Sequence, residues 1–402
     1  MKAAFFTHNR RQLIEKLQGG IAVFSAYAQM QRGNDMAFQF EQEANFWWLT
    51  GIEYPDWTLI IDGTKSKSWL VAPHISQSHE IFDGSLSAEM AKEVSGVDAI
   101  ISHDEAQSLL RDLAKRHSIV ATLGEQPYAE HFDFTINPAI KAQRDQLARI
   151  FTTVQDCRKD IAQLRAIKQP EEITAMKAAI AVTIDGFERV KERLQQSAHE
   201  YDIEAEFNYH FRTHGARGHA YDPIVASGGN ACTLHYIAND AKLKKRQLVL
   251  LDIGARSGGY AADITRTYAY GEPTKRQRDI HAAVQAAHHA IIKLITPNLS
   301  VEQYQRDVDR IMIDALLSVG LMANREDTDH YHRYFPHAIS HGLGVDVHDS
   351  LGGPQFLQPG MVLTVEPGMY IPEEGIGVRI EDDILVTPSG NINLSARLST
   401  DL

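Results

Sequence analysis

Cysteine is nearly absent from this 402-residue chain: Cys157 and Cys232 stand far apart with no CxxC spacing. That excludes a disulfide framework and a thiolate zinc ribbon, and it fits a reducing compartment. Long apolar runs are missing too. No stretch approaches the ~18–20 residues of a spanning helix, and the apolar part of MKAAFFTHNRRQLIEKL is too short for a signal core. A cytoplasmic protein without a membrane partner is expected. Positive charge is also short, with 40 Lys and Arg against 52 Asp and Glu for a net −12. The one basic cluster, Lys242–Arg246, reads as a solvated turn, so no nucleic-acid partner is expected. No short-period repeat or low-complexity tract appears, and a 44% apolar, 23% charged composition argues against long disorder.

What is present suggests two domains. Residues 7–18 read as a helix closed by Gly19 and Gly20, and IAVFSAY follows as a buried strand. Strand-like runs (WTLIID, SWLVAP, DAIIS, SIVATLG) then alternate with helical ones (AEMAKEV, DEAQSLLRDLAKR), the rhythm of an α/β domain. No glycine-rich phosphate loop follows any of these strands. Trp47, Trp48 and Trp57 cluster between them and read as core or as a contact surface. The expected division is an N-terminal α/β domain over 1–135, a helical connector over 136–167 and a catalytic domain over 168–402. Pro170, followed by Glu171 and Glu172, marks the start of a long helix.

The second half is organised around LVLLDIGARSGGYAADITRT, a predicted hairpin with glycines at its turn and one aspartate on each strand, Asp252 and Asp263. A lone pair of strand aspartates also fits a turn cap or a salt bridge. Helices follow over 275–294 and 301–319, then a last hairpin of MVLTVEPGMYI and GIGVRIEDDILVT. With it come three more donors in apolar or glycine-rich runs: His341, Glu366 and Glu381. Four carboxylates around one histidine need concentrated positive charge, and two divalent ions would supply it. A thiolate-free, carboxylate-rich shell suits Mn2+, with Co2+ or Zn2+ as alternatives, and such a pair serves hydrolysis.

DIGARSGGYAADITRT, FPHAISHGLGVDVHD, VLTVEPGMYIP and GIGVRIEDD together resemble the motifs of the creatinase/aminopeptidase P/methionine aminopeptidase family, the pita-bread metallopeptidases. The likeness covers about residues 165–395. EANFWWLTGIEYPD is similar to the domain that precedes the catalytic one in aminopeptidase P and prolidase. The resemblance implies an α/β fold with an N-terminal domain of that type and a C-terminal pita-bread domain built on a curved antiparallel sheet. It implies Asp252, Asp263, His341, Glu366 and Glu381 as ligands of a dinuclear site, Asp263 and Glu381 bridging. Glu366 would also carry a proton, and His337 and His348 would flank the substrate. His235 and Tyr370 would line the pocket, and Tyr221 and Arg379 would orient Asp263 and Glu381. Arg379 by itself also reads as a surface cation, although its i, i+2 spacing to Glu381 puts both on one face of a strand. His281, His288, His289, His330 and His332 are read as structural.

Within the family, the N-terminal domain disfavours a methionine aminopeptidase, and the intact carboxylates disfavour the metal-free creatinase type. An aminopeptidase P cleaving Xaa-Pro-peptides is expected, a prolidase cleaving Xaa-Pro dipeptides is the alternative, and a non-catalytic binding protein is the reading from another class. Asp35 falls where the family has an aspartate near the substrate entrance. HDSLGGPQFLQPG lacks an arginine that many members place there. Proline-containing peptides are the implied substrates, and a homodimer or homotetramer the implied assembly.

Overall fold

The computed structural model describes residues 1–124 and 135–402. The chain divides into two compact units, Met1–Leu164 and Arg165–Leu402. The domain end expected near residue 135 borders the stretch outside the described residues.

In the first unit, strands β1 (Ile21–Ser25), β2 (Thr58–Asp62), β3 (Lys67–Val71), β4 (Ala99–Ile101), β5 (Ile119–Thr122) and β6 (Thr153–Asp156) form one mixed sheet in the order β4-β3-β2-β1-β5-β6. β1–β2 and β2–β3 are antiparallel, and the other pairs are parallel. Its core is Val23, Ile60, Leu110, Val120 and Leu147, each side chain of this kind contributing about 1.5–3 kcal/mol on burial. β6 and the Ala139–Leu147 helix come from the segment expected as a helical connector, so part of that segment completes this sheet. Trp47, Trp48 and Trp57 are buried inside the unit. The indole of Trp47 sits edge-on to Phe6 at 5.8 Å, and the Trp48 carbonyl accepts from Asn9 Nδ2 at 2.8 Å. They are core and offer no contact surface.

The second unit opens with the Pro170–Arg193 helix, which has Pro170 in its first turn and a reciprocal Gln169/Glu172 cap. With the Glu200–Thr213 helix it covers an antiparallel sheet in the order β12-β9-β8, made by β8 (Ile224–Ser227), β9 (Gln247–Ile253) and β12 (Ile264–Tyr270). Phe187, Phe207 and Phe211 meet Val249 and Leu251 there. A smaller sheet of β7 (Gly218–His219), β10 (Ala255–Ser257) and β11 (Tyr260–Ala261) forms the hairpin tip, where Gly258 and Gly259 take the positive φ that the sequence called for.

The Lys275–Leu294 and Val301–Ser318 helices back the remaining strands, with Ile280, Val284 and Met312 against Val365 and Ile384. Each apolar run of the last hairpin, read as one strand, is two. β13 (Val362–Val365) pairs with β16 (Asp382–Thr387), β14 (Gly368–Ile371) pairs with β15 (Ile376–Arg379), and β17 (Gly390–Asn393) adds to β16. Glu366-Pro367 interrupts one run and Ile380-Glu381 the other. Proline has no N–H for a ladder, and such breaks re-aim side chains. The fold is mixed α/β, with antiparallel sheets carrying the C-terminal site.

Candidate metal and active site

The interruptions explain how separate strands aim at one point. Asp252 stays in β9, opposite Thr265 of β12. Asp263 precedes β12, at the break after β11. Gly254 permits this break, because a Cβ there would overlap the Ala262 carbonyl oxygen. Glu381 leaves its ladder to make a bridge with Thr265, donating its N–H to the Thr265 carbonyl at 3.0 Å. Glu366 donates its N–H to the Ile339 carbonyl at 3.1 Å, which joins it to the loop carrying His337 and His341.

The side chains then converge. The Tyr221 hydroxyl lies 2.6 Å from both Asp252 Oδ1 and Asp263 Oδ1, its single proton shared between them. His341 Nε2 lies 3.4 Å from Asp263 Oδ2 and 3.4 Å from Glu366 Oε1. Its Nδ1 is 2.9 Å from the Gly342 carbonyl, which can only accept, so Nδ1 keeps a proton and Nε2 faces the cluster. Ligand atoms of Asp263, His341 and Glu381 fall within 4.8 Å of one another. Thr265 Oγ1 donates to Glu381 at 2.7 Å, and Thr364 Oγ1 to Glu366 Oε1 at 3.0 Å.

Around this cluster, His337 Nδ1 donates to the Ala338 carbonyl at 2.8 Å, leaving Nε2 to accept from the Tyr370 hydroxyl at 2.8 Å. Tyr370 accepts in turn from Arg379 Nη1 at 2.8 Å. The His348 ring stands 4.4 Å from that of His341. His235 is exposed and lies within electrostatic range of His348. Asp35 is exposed in a loop of the first unit.

Arg379 differs from its expected placement. Its guanidinium meets Asp252 and donates to Thr265 Oγ1, while the Glu381 carboxylate is held by Thr265. The strand breaks at Ile380, so the i, i+2 spacing gives no direct contact, but the Arg379 charge still favours the ionised Glu381 and both side chains meet Thr265. Tyr221 reaches Asp263 as expected and Asp252 in addition. Thr265 and Thr364 were missed. Thr364 stands two residues from Glu366, and that spacing was the available signal; Thr265 reaches Glu381 from another strand, which no local spacing marks.

The electrostatics show what the donors lack. Burial pushes Asp252, Glu366 and Glu381 above the ordinary carboxylate range, Glu366 to about 7, and the Asp263 charge adds to each shift. On His341 burial works the other way, but the hydrogen bond to Asp263 and the charges of Glu366 and Asp263 outweigh it and raise the ring to about 9. Burial holds His337 and His348 near 4, neutral at physiological pH. Four carboxylates that repel one another, with Arg379 touching one of them, are a donor set that concentrated positive charge would relieve. Oxygen donors with a single imidazole fit hard or borderline divalent ions.

Comparison with known proteins agrees with this chemistry. The model of metallopeptidase family M24 matches residues 174–388, and that of the aminopeptidase P N-terminal domain matches residues 6–121. The chain belongs to metallopeptidase family M24. It is 35% identical to the Xaa-Pro aminopeptidase of Escherichia coli K12, over 97% of this chain and 94% of that one. It is 33% identical to human Xaa-Pro aminopeptidase 3, over 90% of this chain and 75% of that one. The structure of E. coli aminopeptidase P in its low-pH form superposes with a TM-score of 0.87 at 32% identity, covering 100% of this chain and 96% of that one. A putative aminopeptidase P from Bacillus anthracis gives 0.86 at 31% identity, with the same coverage. For this chain, membership of a metallopeptidase family with Xaa-Pro aminopeptidase relatives implies divalent metal ions and peptide substrates.

Proposed function

We propose that this M24 metallopeptidase is an Xaa-Pro aminopeptidase, releasing the N-terminal residue from peptides with proline in second position. The convergence of Asp252, Asp263, His341, Glu366 and Glu381 carries the reading. Near-full-length similarity to Xaa-Pro aminopeptidases supports it.

Those five residues would hold two divalent ions, Mn2+ by preference. When bound, the ions supply Lewis-acid polarisation of the scissile carbonyl and a nucleophile available at neutral pH. Glu366 is placed for proton traffic. Its Oε1 faces Thr364 and His341, while Oε2 lies 3.6 Å from His337 Nδ1, so one oxygen remains to take a proton and return it to the proline nitrogen. His337 and His348, kept neutral by burial, flank the place where charge develops. Tyr370, held between Arg379 and His337, fixes the His337 ring and gives the pocket a rigid wall. Asp252 and Asp263 are oriented by the shared Tyr221 hydroxyl, which keeps the two carboxylates at a fixed spacing.

Two further elements of the proposal concern context. The chain would act in the cytoplasm, in keeping with the absence among the described residues of any helix long and apolar enough to cross a membrane. It would assemble as a homodimer or homotetramer, which sedimentation equilibrium reads directly. For the activity, metal-stripped protein is assayed on Xaa-Pro-Xaa tripeptides and on Gly-Pro, with Mn2+ added back. Manganese-dependent cleavage of the tripeptides is expected. Preference for the dipeptide would make the protein a prolidase, and no cleavage of either would overturn the peptidase reading.

A further inference from the structure

Glu200 has no part in the cluster above, yet it is wholly buried and makes an unusual set of contacts. It is the first residue of its helix, where the positive end of the helix dipole favours an anion. Its Oε1 accepts from the Ser227 N–H at 2.7 Å and from Asn230 Nδ2 at 3.1 Å. Its Oε2 accepts from the Tyr236 hydroxyl at 2.8 Å and the Ala241 N–H at 2.9 Å. All four donors are uncharged, and all belong to one stretch of chain. They mark its beginning, its first turn, the residue after His235, and its end. One helical turn further on, Glu204 accepts from Asn239 Nδ2 at 2.9 Å, and Asn239 Oδ1 takes the Val225 N–H at 2.9 Å.

The loop between those ends, residues 228–240, needs holding. It begins with two glycines, Gly228 at a φ of +57°, and beyond Ala231 its apolar residues are at best partly covered, with Ile237 55% exposed. Packing alone would leave it loose. A carboxylate inside the protein is tolerated only while hydrogen-bond donors surround it, so a loop conformation that withdraws them exposes the full cost of the buried charge. We infer that Glu200 is a positioning residue, which clamps the 228–240 loop and thereby presents His235 beside His348 to the substrate. The inference rests on the peptidase reading for its effect on turnover, while the clamp itself is independent of it.

The test is a double-mutant cycle of Glu200→Ala with His235→Ala in Mn2+-loaded protein, run alongside amide hydrogen exchange of the loop. Glu200→Ala should speed exchange across 228–240 and leave bound metal per chain unchanged. It should lower kcat/KM by about tenfold to a hundredfold, mostly through KM. In the His235→Ala background it should cost little more, because the residue through which it acts is gone. Tyr236→Phe removes one donor and leaves the carboxylate its other three, so it gives a smaller effect of the same kind should Glu200→Ala fail to fold. Unchanged exchange in the loop, or losses that simply add in the double mutant, would overturn the proposal. Faster exchange in a wild-type background that cleaves no Xaa-Pro bond would refute the peptidase reading and the positioning role for turnover, leaving only a loop clamp.

Discussion

Two buried charged clusters lie in the C-terminal unit, and they are built on opposite principles. In one, Arg165 and Lys168 face Asp349 at 3.1 and 3.3 Å, and Arg165 also reaches the half-exposed Asp346 at 2.9 Å. Here two cations meet two carboxylates, each charge facing one of opposite sign. In the other, among the described residues, Arg379 touches only Asp252 of the four carboxylates Asp252, Asp263, Glu366 and Glu381, so ionising all four would leave negative charge in excess. A balanced cluster fixes a loop, here the one that carries His348. An unbalanced one is costly to fold unless something binds it, which is the mark of a site.

The contrast is sharpest where the ligands are changed. Asp263→Ala should abolish Mn2+-dependent turnover, a loss of at least about a thousandfold, together with loss of bound metal, read by assay and elemental analysis. In the balanced cluster, Lys168→Met should cost about 3 kcal/mol in urea unfolding, because it leaves part of a buried carboxylate unpaired, while bound metal per chain stays as in wild type. Loss of metal in Lys168→Met would erase the distinction between the clusters.

The metal-free protein separates them by sign. Glu381→Gln replaces a carboxyl that burial and its acidic neighbours keep from ionising, and at neutral pH it should stabilise the metal-free protein by about 0.5–2 kcal/mol while lowering its gain on adding Mn2+. Asp349→Asn, which strips a partner from two buried cations, should destabilise it. Both are read as shifts in Tm.

A smaller effect comes from histidines of neither cluster. The ring nitrogens of His219 are buried and find no hydrogen-bond partner among the described residues, and burial lowers its pKa from 6.5 to about 4. Between those values the unfolded chain holds the extra proton, so this contribution to stability is complete above pH 6.5 and is lost as pH falls toward 4. His219→Leu should flatten the pH dependence of urea stability across that window. An exposed pair such as Lys141–Asp145, at 2.8 Å, should change stability by less than about 0.5 kcal/mol when broken.

Much of this was legible in the chain itself, in proportion to how local the signals were. The helix starting at Pro170, the helix over 275–294 and the β9–β12 hairpin follow from periodicity, caps and turn glycines, which act within a few residues. The five metal-ligand candidates stood out because unpaired acids in apolar runs demand a counter-charge. The breaks at Glu366-Pro367 and Ile380-Glu381 were harder to read, since apolar patterning continues through them and only Pro367 marks one. The partner of Arg379 depended on such a break, and so it was placed on Glu381 rather than Asp252. The Glu200 clamp was invisible, because its four donors are spread over residues 227–241 and meet only when the loop closes on the helix.

The central claim is that the charge-deficient cluster is completed by two divalent ions and does chemistry only then. Calorimetric titration of Mn2+ into metal-stripped protein, with tripeptide cleavage followed on the same samples, tests it directly. Uptake approaching two ions per chain, with turnover appearing as the sites fill, is the predicted result. Turnover that is undiminished in the stripped protein, or no stoichiometric uptake at all, would contradict it.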